Sequence, residues 1–271
     1  MSDEIKEMWN QRASGDVQDS WYNLNTTVRL AQAAEIAKNP WKGFPTAVVP
    51  LIQKYMGDLR GKKVCVPSAG DCFAAYGFAG LGAEVLACDI AENQLINAKI
   101  IAEKNGFKLD YLCQDSMKLP DVESGVYDLV YTSNGVHVWI DDLPGMYGNF
   151  HRVLKDGGYN IFFETHPMIR PFNDKEIDVC KIVKRYDDVL PKDGMTYAWR
   201  TMDFVNAVLG AGFTLRHMAE FHSVSADLTG NYLEPETNPE RPLYGKDQYD
   251  WTVNPWAALP QCLCLCSQKV S

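Results

Sequence analysis

Apolar runs of strand length alternate along the chain with segments whose apolar residues have helical spacing. After Lys62 the strand-like runs are KKVCVP, AEVLACD, LDYLCQD, YDLVYTSN and GGYNIFFETHP, and the helical segments include NQLINAKIIAEKNG and LPGMYGNFHRVL. Such alternation is typical of a parallel sheet with helices on both faces. Ligands bind to such sheets beyond the carboxyl ends of the strands, near the point where the strand order reverses.

The pattern changes near the end of the chain. The helical segment TMDFVNAVLGAG is followed by two strand-like runs, FTLRHMAEFHSVS and AALPQCLCLCSQK, with no helical segment between them. Two consecutive strands without a crossover helix pair antiparallel. The sequence therefore predicts an α/β protein with a doubly wound, mostly parallel seven-stranded sheet that ends in an antiparallel hairpin.

About 60 residues precede this pattern and contain two helical segments, TTVRLAQAAEIAKNP and PTAVVPLIQKYMGDL. We interpret residues 1–60 as a helical cap over the carboxyl end of the sheet. Residues 61–271 then form the core, with insertions at about 168–198 and 225–257. Because these additions are rich in aromatic residues, we expect them to wall a pocket for an apolar or aromatic small molecule.

Charge and hydropathy exclude two kinds of partner. The chain has 271 residues, 46% of them hydrophobic, and a formal net charge of -9, so a phosphate backbone would gain little from binding to it. The long apolar stretch VCVPSAGDCFAAYGFAGLGAEVLACD is interrupted by acids and glycines and is a poor membrane span. The acidic start of the chain lacks the features of a secretory signal, so a cytoplasmic protein with neither nucleic acid nor membrane as partner is expected.

The eight cysteines fit a buried core better than a metal site. Cys65, Cys88 and Cys113 lie within apolar strand-like runs, where a reduced thiol behaves as a small hydrophobe. The run QCLCLCSQ places its three cysteines on one face of a strand and its leucines on the other. It lacks the paired clusters of a zinc site, so no metal is predicted.

A turn at the end of the first strand points to a nucleoside. Ser68, Ala69 and Gly70 lead into a helix whose first amides face a ligand, and Asp89 ends the next strand about 20 residues later, where a carboxylate accepts ribose hydroxyls. Only one glycine of the dinucleotide pattern is present. Asp71 would repel a diphosphate and suits a cationic ligand.

These motifs resemble those of class I S-adenosylmethionine-dependent methyltransferases. VPSAGDC is similar to the glycine-rich first loop of that family, GAEVLACDI to its second strand and CQDSMKLP to its adenine-side loop. YDLVYTSNGVHVWID and the later string RVLKDGG look like its fourth strand and the approach to its fifth. The chain departs at Ser68 and Cys72, where the family commonly has glycine, and at Val66, where it often has an acid.

The resemblance implies S-adenosylmethionine as cofactor and a role for each matching residue. Asp89 would hold the ribose, Ile90 would pack on the adenine and Asp115 would accept its amine. Ser116 or Met117 would contact the edge of the adenine ring. The methionine part would be surrounded by Ser68, Ala69, Gly70 and Asn134. The aromatic rings of Trp21 and Tyr22 would cover the sulfonium.

Two histidines are candidate catalytic residues. A sulfonium methyl group is already activated, so a base is needed only for acceptors such as hydroxyls. His166 follows the fifth strand in ETHPM and is the preferred base, and His137 follows the fourth strand in GVHVWI. Glu164 lies two residues before His166, so the two side chains could share a face and Glu164 could orient the imidazole.

Transfer of a methyl group from S-adenosylmethionine to a small-molecule acceptor is therefore the predicted function. The sequence leaves open whether the accepting atom is O, N, S or C, and leaves the oligomeric state open. Lys192, Arg200 and Arg241 would suit a carboxylate on the acceptor. Two alternatives are a noncatalytic protein with this fold, motivated by the altered first loop, and a nicotinamide-dependent oxidoreductase.

Overall fold

The computed structural model describes residues 2–14, 27–172, 181–191, 195–222 and 250–270. Trp21 and Tyr22, predicted above the sulfonium, lie outside the described residues, as do Lys192 and Arg241. The same holds for most of the predicted insertion at 225–257 and for part of the one at 168–198.

In the described part of the chain, seven strands form one sheet in the order β3-β2-β1-β4-β5-β7-β6. The strands are β1 Lys63–Val66, β2 Glu84–Asp89, β3 Asp110–Cys113, β4 Tyr127–Ser133, β5 Leu154–Thr165, β6 Phe213–His222 and β7 Pro260–Lys269. The first five are parallel, and β7 lies antiparallel between β5 and β6. The predicted fold class and its terminal hairpin are confirmed. The strand order reverses between β1 and β4, so the ligand edge lies at their carboxyl ends.

Seven α-helices flank this sheet among the described residues. They are α1 Ser2–Ser14, α2 Thr27–Lys38, α3 Val49–Met56, α4 Phe73–Gly80, α5 Glu92–Asn105, α6 Leu143–Val153 and α7 Thr201–Gly210. One buried cluster joins α2, α3, α4 and α5 to one face of the sheet, and a second joins α6 and α7 to the other. None of these helices is long and apolar enough to cross a membrane.

Strand β7 shows how the period of two sorts side chains between the two cores. Its cysteines Cys262, Cys264 and Cys266 belong to the cluster with α3 and α4, whereas Leu263 and Leu265 belong to the cluster with α6 and α7. The predicted division of this strand is confirmed. The expectation that Cys113 is a core thiol is wrong, because β3 is the edge strand and that side chain is exposed.

Helix α1 reaches across the ligand edge of the sheet. At one end Asn10 accepts a hydrogen bond from the main-chain N–H of Asn93 at the start of α5 (3.0 Å). Trp9 packs edge-to-face on Trp139, which follows β4, with ring centroids 5.3 Å apart. The sequence analysis missed α1 as a helix, since its apolar residues are few.

Candidate cofactor-binding site

The loop after β1 keeps left-handed backbone at non-glycine positions. Ser68 has φ 51° and Cys72 has φ 61°, and Gly70 between them has φ 52°. L-residues adopt this region at a cost of about 1–2 kcal/mol each. The loop therefore has the backbone conformation that favours glycine, although this chain has Ser68 and Cys72 where the resembled family commonly has glycine. Backbone strain of this kind persists mainly at functional sites.

Asp89 links the ends of β1 and β2. Its Oδ2 accepts a hydrogen bond from the main-chain N–H of Gly70 and its Oδ1 one from that of Ala91, both at 2.9 Å. Asp89 is 7% exposed. Burial raises the pKa of this carboxyl, and the two amide hydrogen bonds oppose that effect. Each oxygen keeps a further lone pair for a donor on a ligand.

The loop after β3 joins the same cleft. Ser116 is buried, and its hydroxyl lies 2.7 Å from that of Ser68. Asp115 Oδ1 accepts a hydrogen bond from the main-chain N–H of Met117 (2.9 Å). Its Oδ2 is buried and accepts no hydrogen bond from the described residues, although the Lys118 ammonium group lies 3.4 Å away. A buried carboxylate oxygen without a hydrogen bond is energetically unfavourable, and a hydrogen-bond donor on a ligand would stabilise it.

Asn134 lies at the reversal point, directly after β4. It has φ 51° and is followed by Gly135 with φ 83°. Its main-chain N–H donates to the carbonyl of Phe163 (2.7 Å), and its Oδ1 accepts from the Thr165 hydroxyl (3.3 Å). These bonds attach the loop after β4 to the end of β5. Asn134 itself is exposed toward the ligand edge.

The predicted cofactor contacts lie at adjacent strand ends, and their roles stay predictions. The loops after β1, β2, β3 and β4 carry them in sequence, and hydrogen bonds join neighbouring loops, as from Ala69 to the carbonyl of Cys88 and from Gln114 to that of Asp89. Ile90 and Met117 are partly exposed, as ring contacts would require.

A buried arginine of helix α2 lies beside the first loop. Arg29 of α2 is 5% exposed and its Nη1 lies 3.6 Å from Oδ2 of Asp71. Its guanidinium also lies 5.9 Å from the ring centroid of Phe73. Burial raises the pKa of Asp71 and the charge of Arg29 opposes this. Sequence reasoning identified Asp71 but missed Arg29, which lies 42 positions earlier in an ordinary amphipathic helix.

His137 is part of a buried chain of hydrogen bonds. Its Nδ1 lies 3.1 Å from Oε2 of Glu164 and its Nε2 lies 2.7 Å from the Tyr147 hydroxyl. The imidazole is 1% exposed and packs against Phe162 and Phe204. Because the carboxylate accepts only, Nδ1 carries the proton. Both ring nitrogens are thus engaged inside the core.

His166 is equally enclosed. Its Nδ1 accepts the main-chain N–H of Met168 (3.0 Å), so Nε2 carries the proton and donates to Oε1 of Glu220 on β6 (2.8 Å). The residue is 1% exposed. Burial lowers its pKa, against the opposing effect of Glu220. The expectation that Glu164 orients His166 is wrong: the chain turns after Thr165, and Glu164 contacts His137 instead.

Aromatic side chains line the edge on the β4 and β5 side. Tyr197 and Trp199 stack with centroids 5.1 Å apart, and Trp199 donates its indole N–H to the carbonyl of Ile140 (2.8 Å). Both rings line a crevice with His137, Glu164, Thr165, Pro167 and Arg170. At the start of α7 the Asp203 carboxylate accepts hydrogen bonds from the main-chain N–H (2.9 Å) and the guanidinium (2.8 Å) of Arg200, so Arg200 is engaged at the end of that helix.

The topology and the acids at successive strand ends define a nucleoside-binding α/β protein. Residues 67–162 match the family model described as a methyltransferase domain. Residues 67–162 are therefore similar to a methyltransferase domain, and the predicted resemblance to class I S-adenosylmethionine-dependent methyltransferases is confirmed. S-adenosylmethionine, the predicted cofactor, is the cofactor of that family.

Relatives and solved structures agree with this assignment. A sterol 24-C-methyltransferase of Gibberella zeae is 33% identical over 138 residues, which is 50% of this chain and 35% of that protein. A ubiquinone biosynthesis O-methyltransferase of Bordetella avium is 28% identical over 114 residues, 42% of this chain and 46% of that protein. The chain thus spans less than half the length of either relative.

The fold extends well beyond the matched segment. The crystal structure of an S-adenosylmethionine-dependent methyltransferase from Mesorhizobium loti aligns with 82% of this chain and 98% of its own, with a TM-score of 0.60 and 21% identity. At that identity the likeness concerns the fold alone. The aligned share of the chain is larger than the segment 67–162 that the family model matches.

Proposed function

We propose that this protein transfers the methyl group of S-adenosylmethionine to a small-molecule acceptor. The observation that carries the proposal is the row of acids and left-handed loops at the carboxyl ends of β1 to β4. A loop with Ser68 and Cys72 in left-handed conformations is strained, and the strain is understandable where the backbone has to approach a ligand.

The described residues fit the cofactor in chemical terms. Asp89 has acceptor capacity for the ribose hydroxyls, and Oδ2 of Asp115 is a buried acceptor that the adenine amine would satisfy. A Cβ added at Gly70 would meet no atom within 4 Å, so the main chain is open to a ligand there. When bound, the cofactor supplies an electrophilic methyl group on a sulfonium.

The methionine end of the cofactor is a zwitterion, and the first loop offers opposite charges for it. Asp71 suits the ammonium group, and Arg29, 3.6 Å from Asp71, suits the carboxylate. Asn134 is exposed directly after β4, the strand that neighbours β1. We assign this end of the site to these three side chains together with the main chain of Ser68, Ala69 and Gly70.

The acceptor is proposed to be a small molecule with an apolar or aromatic part. Tyr197, Trp199, Trp9 and Trp139 supply aromatic surface beside the ends of β4 and β5. The relatives named above carry the names of sterol and ubiquinone biosynthesis. The net charge of -9 opposes a nucleic acid acceptor.

The proposal assigns no general base to the described residues. His137 and His166 each use both ring nitrogens within the protein. Neither presents a free lone pair to an acceptor in this arrangement. The chain's task is then to align the acceptor's nucleophilic atom behind the methyl group and to exclude water.

Titration calorimetry with S-adenosylmethionine and S-adenosylhomocysteine tests the proposal. We expect the wild type to bind both, and Asp89→Asn to weaken both by roughly tenfold or more, because a charge-assisted hydrogen bond is worth about 1.5–3 kcal/mol. Asp110→Asn is the matched control, since Asp110 is exposed at the opposite end of the neighbouring strand β3. Wild type that binds neither ligand would refute the proposal.

Turnover separates the proposed enzyme from a noncatalytic protein of the same fold. Incubation with S-adenosylmethionine and a panel of phenols, polyprenyl compounds and sterols should yield S-adenosylhomocysteine together with a methylated product of matching mass. Binding of the cofactor without turnover on any acceptor class would favour the noncatalytic alternative. The nicotinamide-dependent alternative receives no support from the matched family and is not carried further.

A further inference from the structure

The Glu164 carboxylate collects an unusual number of donors. Oε1 accepts the main-chain N–H groups of Gly135 (2.6 Å) and Thr165 (2.8 Å). Oε2 accepts those of Val136 (3.0 Å) and His137 (3.2 Å), in addition to the Nδ1–H of His137. Glu164 is 1% exposed. Burial opposes its ionisation, yet the contact with the His137 side chain, the charge of Arg170 and the Gly135 amide lower its pKa to about 2.

Three of these donors are successive amides of one loop. Gly135, Val136 and His137 follow Asn134, and their N–H groups converge on the carboxylate because the chain passes from left-handed backbone at Asn134 and Gly135 to right-handed backbone at Val136. Such a concave set of amides is an anion-binding nest. Here the anion is a side chain of the protein itself, supplied by the neighbouring strand β5.

We propose that Glu164 is a positioning residue for the methionine end of the cofactor site. This inference rests on the proposed function. By filling the nest, the carboxylate holds the loop after β4 in the conformation that directs Asn134 toward the cleft. Thr165, the next residue on β5, adds a second link through its hydroxyl to Asn134 Oδ1.

The effect of Glu164 should be local to one half of the cleft. The ribose and adenine contacts belong to the loops after β1, β2 and β3, and those loops are joined by Asp89 and by the pair Ser68 and Ser116. None of these bonds involves Glu164. Removing the carboxylate should therefore loosen the Asn134 loop and leave the adenosine half in place.

The test compares two ligands on Glu164→Gln. S-adenosylhomocysteine carries the amino-acid end, whereas 5′-methylthioadenosine lacks it. The glutamine NH2 group would face main-chain donors, so the nest cannot close. We expect the Kd for S-adenosylhomocysteine to rise about tenfold, the size of one lost charge-assisted hydrogen bond, with the Kd for 5′-methylthioadenosine changed less than about twofold.

Tyr147→Phe is the matched control for loss of stability. It removes the hydroxyl at the far end of the same buried chain and leaves the nest intact. The ratio of the two Kd values should stay at its wild-type value. Glu164→Asp keeps the charge on a shorter stem and should shift the ratio less than Glu164→Gln.

A second variant approaches the nest from the loop side. Val136→Pro removes one donor, and φ of −77° at Val136 is compatible with proline. It should shift the ratio in the same direction, and it replaces Glu164→Gln if that variant does not fold. Hydrogen exchange at Gly135 and His137 should quicken in either variant, while the amide of Gly70 keeps its wild-type rate.

The outcomes are distinct. Wild type that binds neither ligand refutes the proposed function. Wild type that binds both, with variants that leave the ratio and the loop amides unchanged, refutes the positioning role of Glu164 alone. Equal weakening of both ligands also refutes it, because that is the effect of general destabilisation.

Discussion

The two halves of the ligand edge use buried acids in opposite ways. In the half formed by β1, β2 and β3, Asp89 accepts two main-chain amides and burial raises its pKa, while Asp115 has one oxygen without a hydrogen bond. In the half formed by β4 and β5, Glu164 accepts five hydrogen bonds and has a pKa of about 2.

This difference separates carboxylates that are available to a ligand from carboxylates that hold the protein backbone in place. A buried carboxylate that the protein satisfies only in part gains when a ligand brings donors, so its energetic cost is recovered on binding. A fully satisfied carboxylate has nothing left to offer a ligand and instead fixes the backbone around it. Asp115 and Glu164 differ in the number of hydrogen bonds that the described residues donate to them: one to Asp115 and five to Glu164.

The largest expected effect concerns the half that we assign to the scaffold. His137→Phe keeps an aromatic ring at this position but removes the hydrogen-bond partner of the buried Tyr147 hydroxyl and one donor to Glu164. We expect a loss of about 3 kcal/mol in the free energy of unfolding, measured by urea denaturation. His137→Phe/Tyr147→Phe should recover about 1 kcal/mol, because the orphaned hydroxyl is gone.

Catalysis by His137 would give a different pattern. The sequence places this histidine among the catalytic candidates, and a catalytic role predicts loss of turnover with little change in stability. A purely structural role predicts lower stability with the Kd for S-adenosylhomocysteine within about twofold of wild type. Measuring both quantities on the same preparation decides between the roles.

The next effect concerns the half that we assign to binding. Asp115→Ala removes the acceptor proposed for the adenine amine, and the Kd for S-adenosylhomocysteine should rise about tenfold. S-inosylhomocysteine presents a carbonyl in place of that amine, so the wild type should bind it more than about tenfold more weakly. In Asp115→Ala this discrimination should fall to within about threefold.

Asp110→Ala is the control for this experiment, since its side chain is exposed at the start of β3. It should keep full discrimination between the two ligands. If Asp115→Ala prefers S-adenosylhomocysteine over S-inosylhomocysteine as strongly as the wild type does, the adenine does not contact this carboxylate. Asp115 would then no longer be an example of a carboxylate that binds the ligand.

The binding half was predictable from sequence because its determinants are local. The predicted contacts lie at the end of a strand or shortly after it, at a spacing that the fold imposes: Ser68, Gly70, Asp89 and Asp115. The alternation of strands and turns along the sequence is therefore enough to predict their positions at the ligand edge. The fold itself follows from the same pattern. The short first loop identifies a ligand edge even where glycines are replaced.

The scaffold half was not predictable because its contacts join distant positions. Nothing in the string GVHVWI shows that His137 turns inward to Glu164, 27 residues later, or that His166 meets Glu220, 54 residues later. Both pairs form only when β5, β6 and the loop after β4 come together. Arg29 was missed for the same reason, since its partner Asp71 lies 42 positions later, in the loop after β1.

The smallest expected effect is a pH dependence carried by His166. Burial lowers its pKa below the ordinary value of 6.5, so at pH values between the two the unfolded chain binds a proton that the folded chain does not. The free energy of unfolding should then rise with pH across that window and level off above about 6.5–7. Each pKa unit of depression corresponds to about 1.4 kcal/mol.

His166→Asn tests this origin of the slope. The asparagine Oδ1 can accept the N–H of Met168 as Nδ1 does, but the side chain does not titrate between pH 5 and 8. Urea denaturation at pH 5.5, 6.5 and 7.5 should show a smaller rise in the variant than in the wild type. An unchanged rise would assign the slope to groups other than His166. If His166→Asn loses methyl transfer at pH 7.5, His166 takes part in binding or catalysis. A residue with a purely structural role should leave turnover intact.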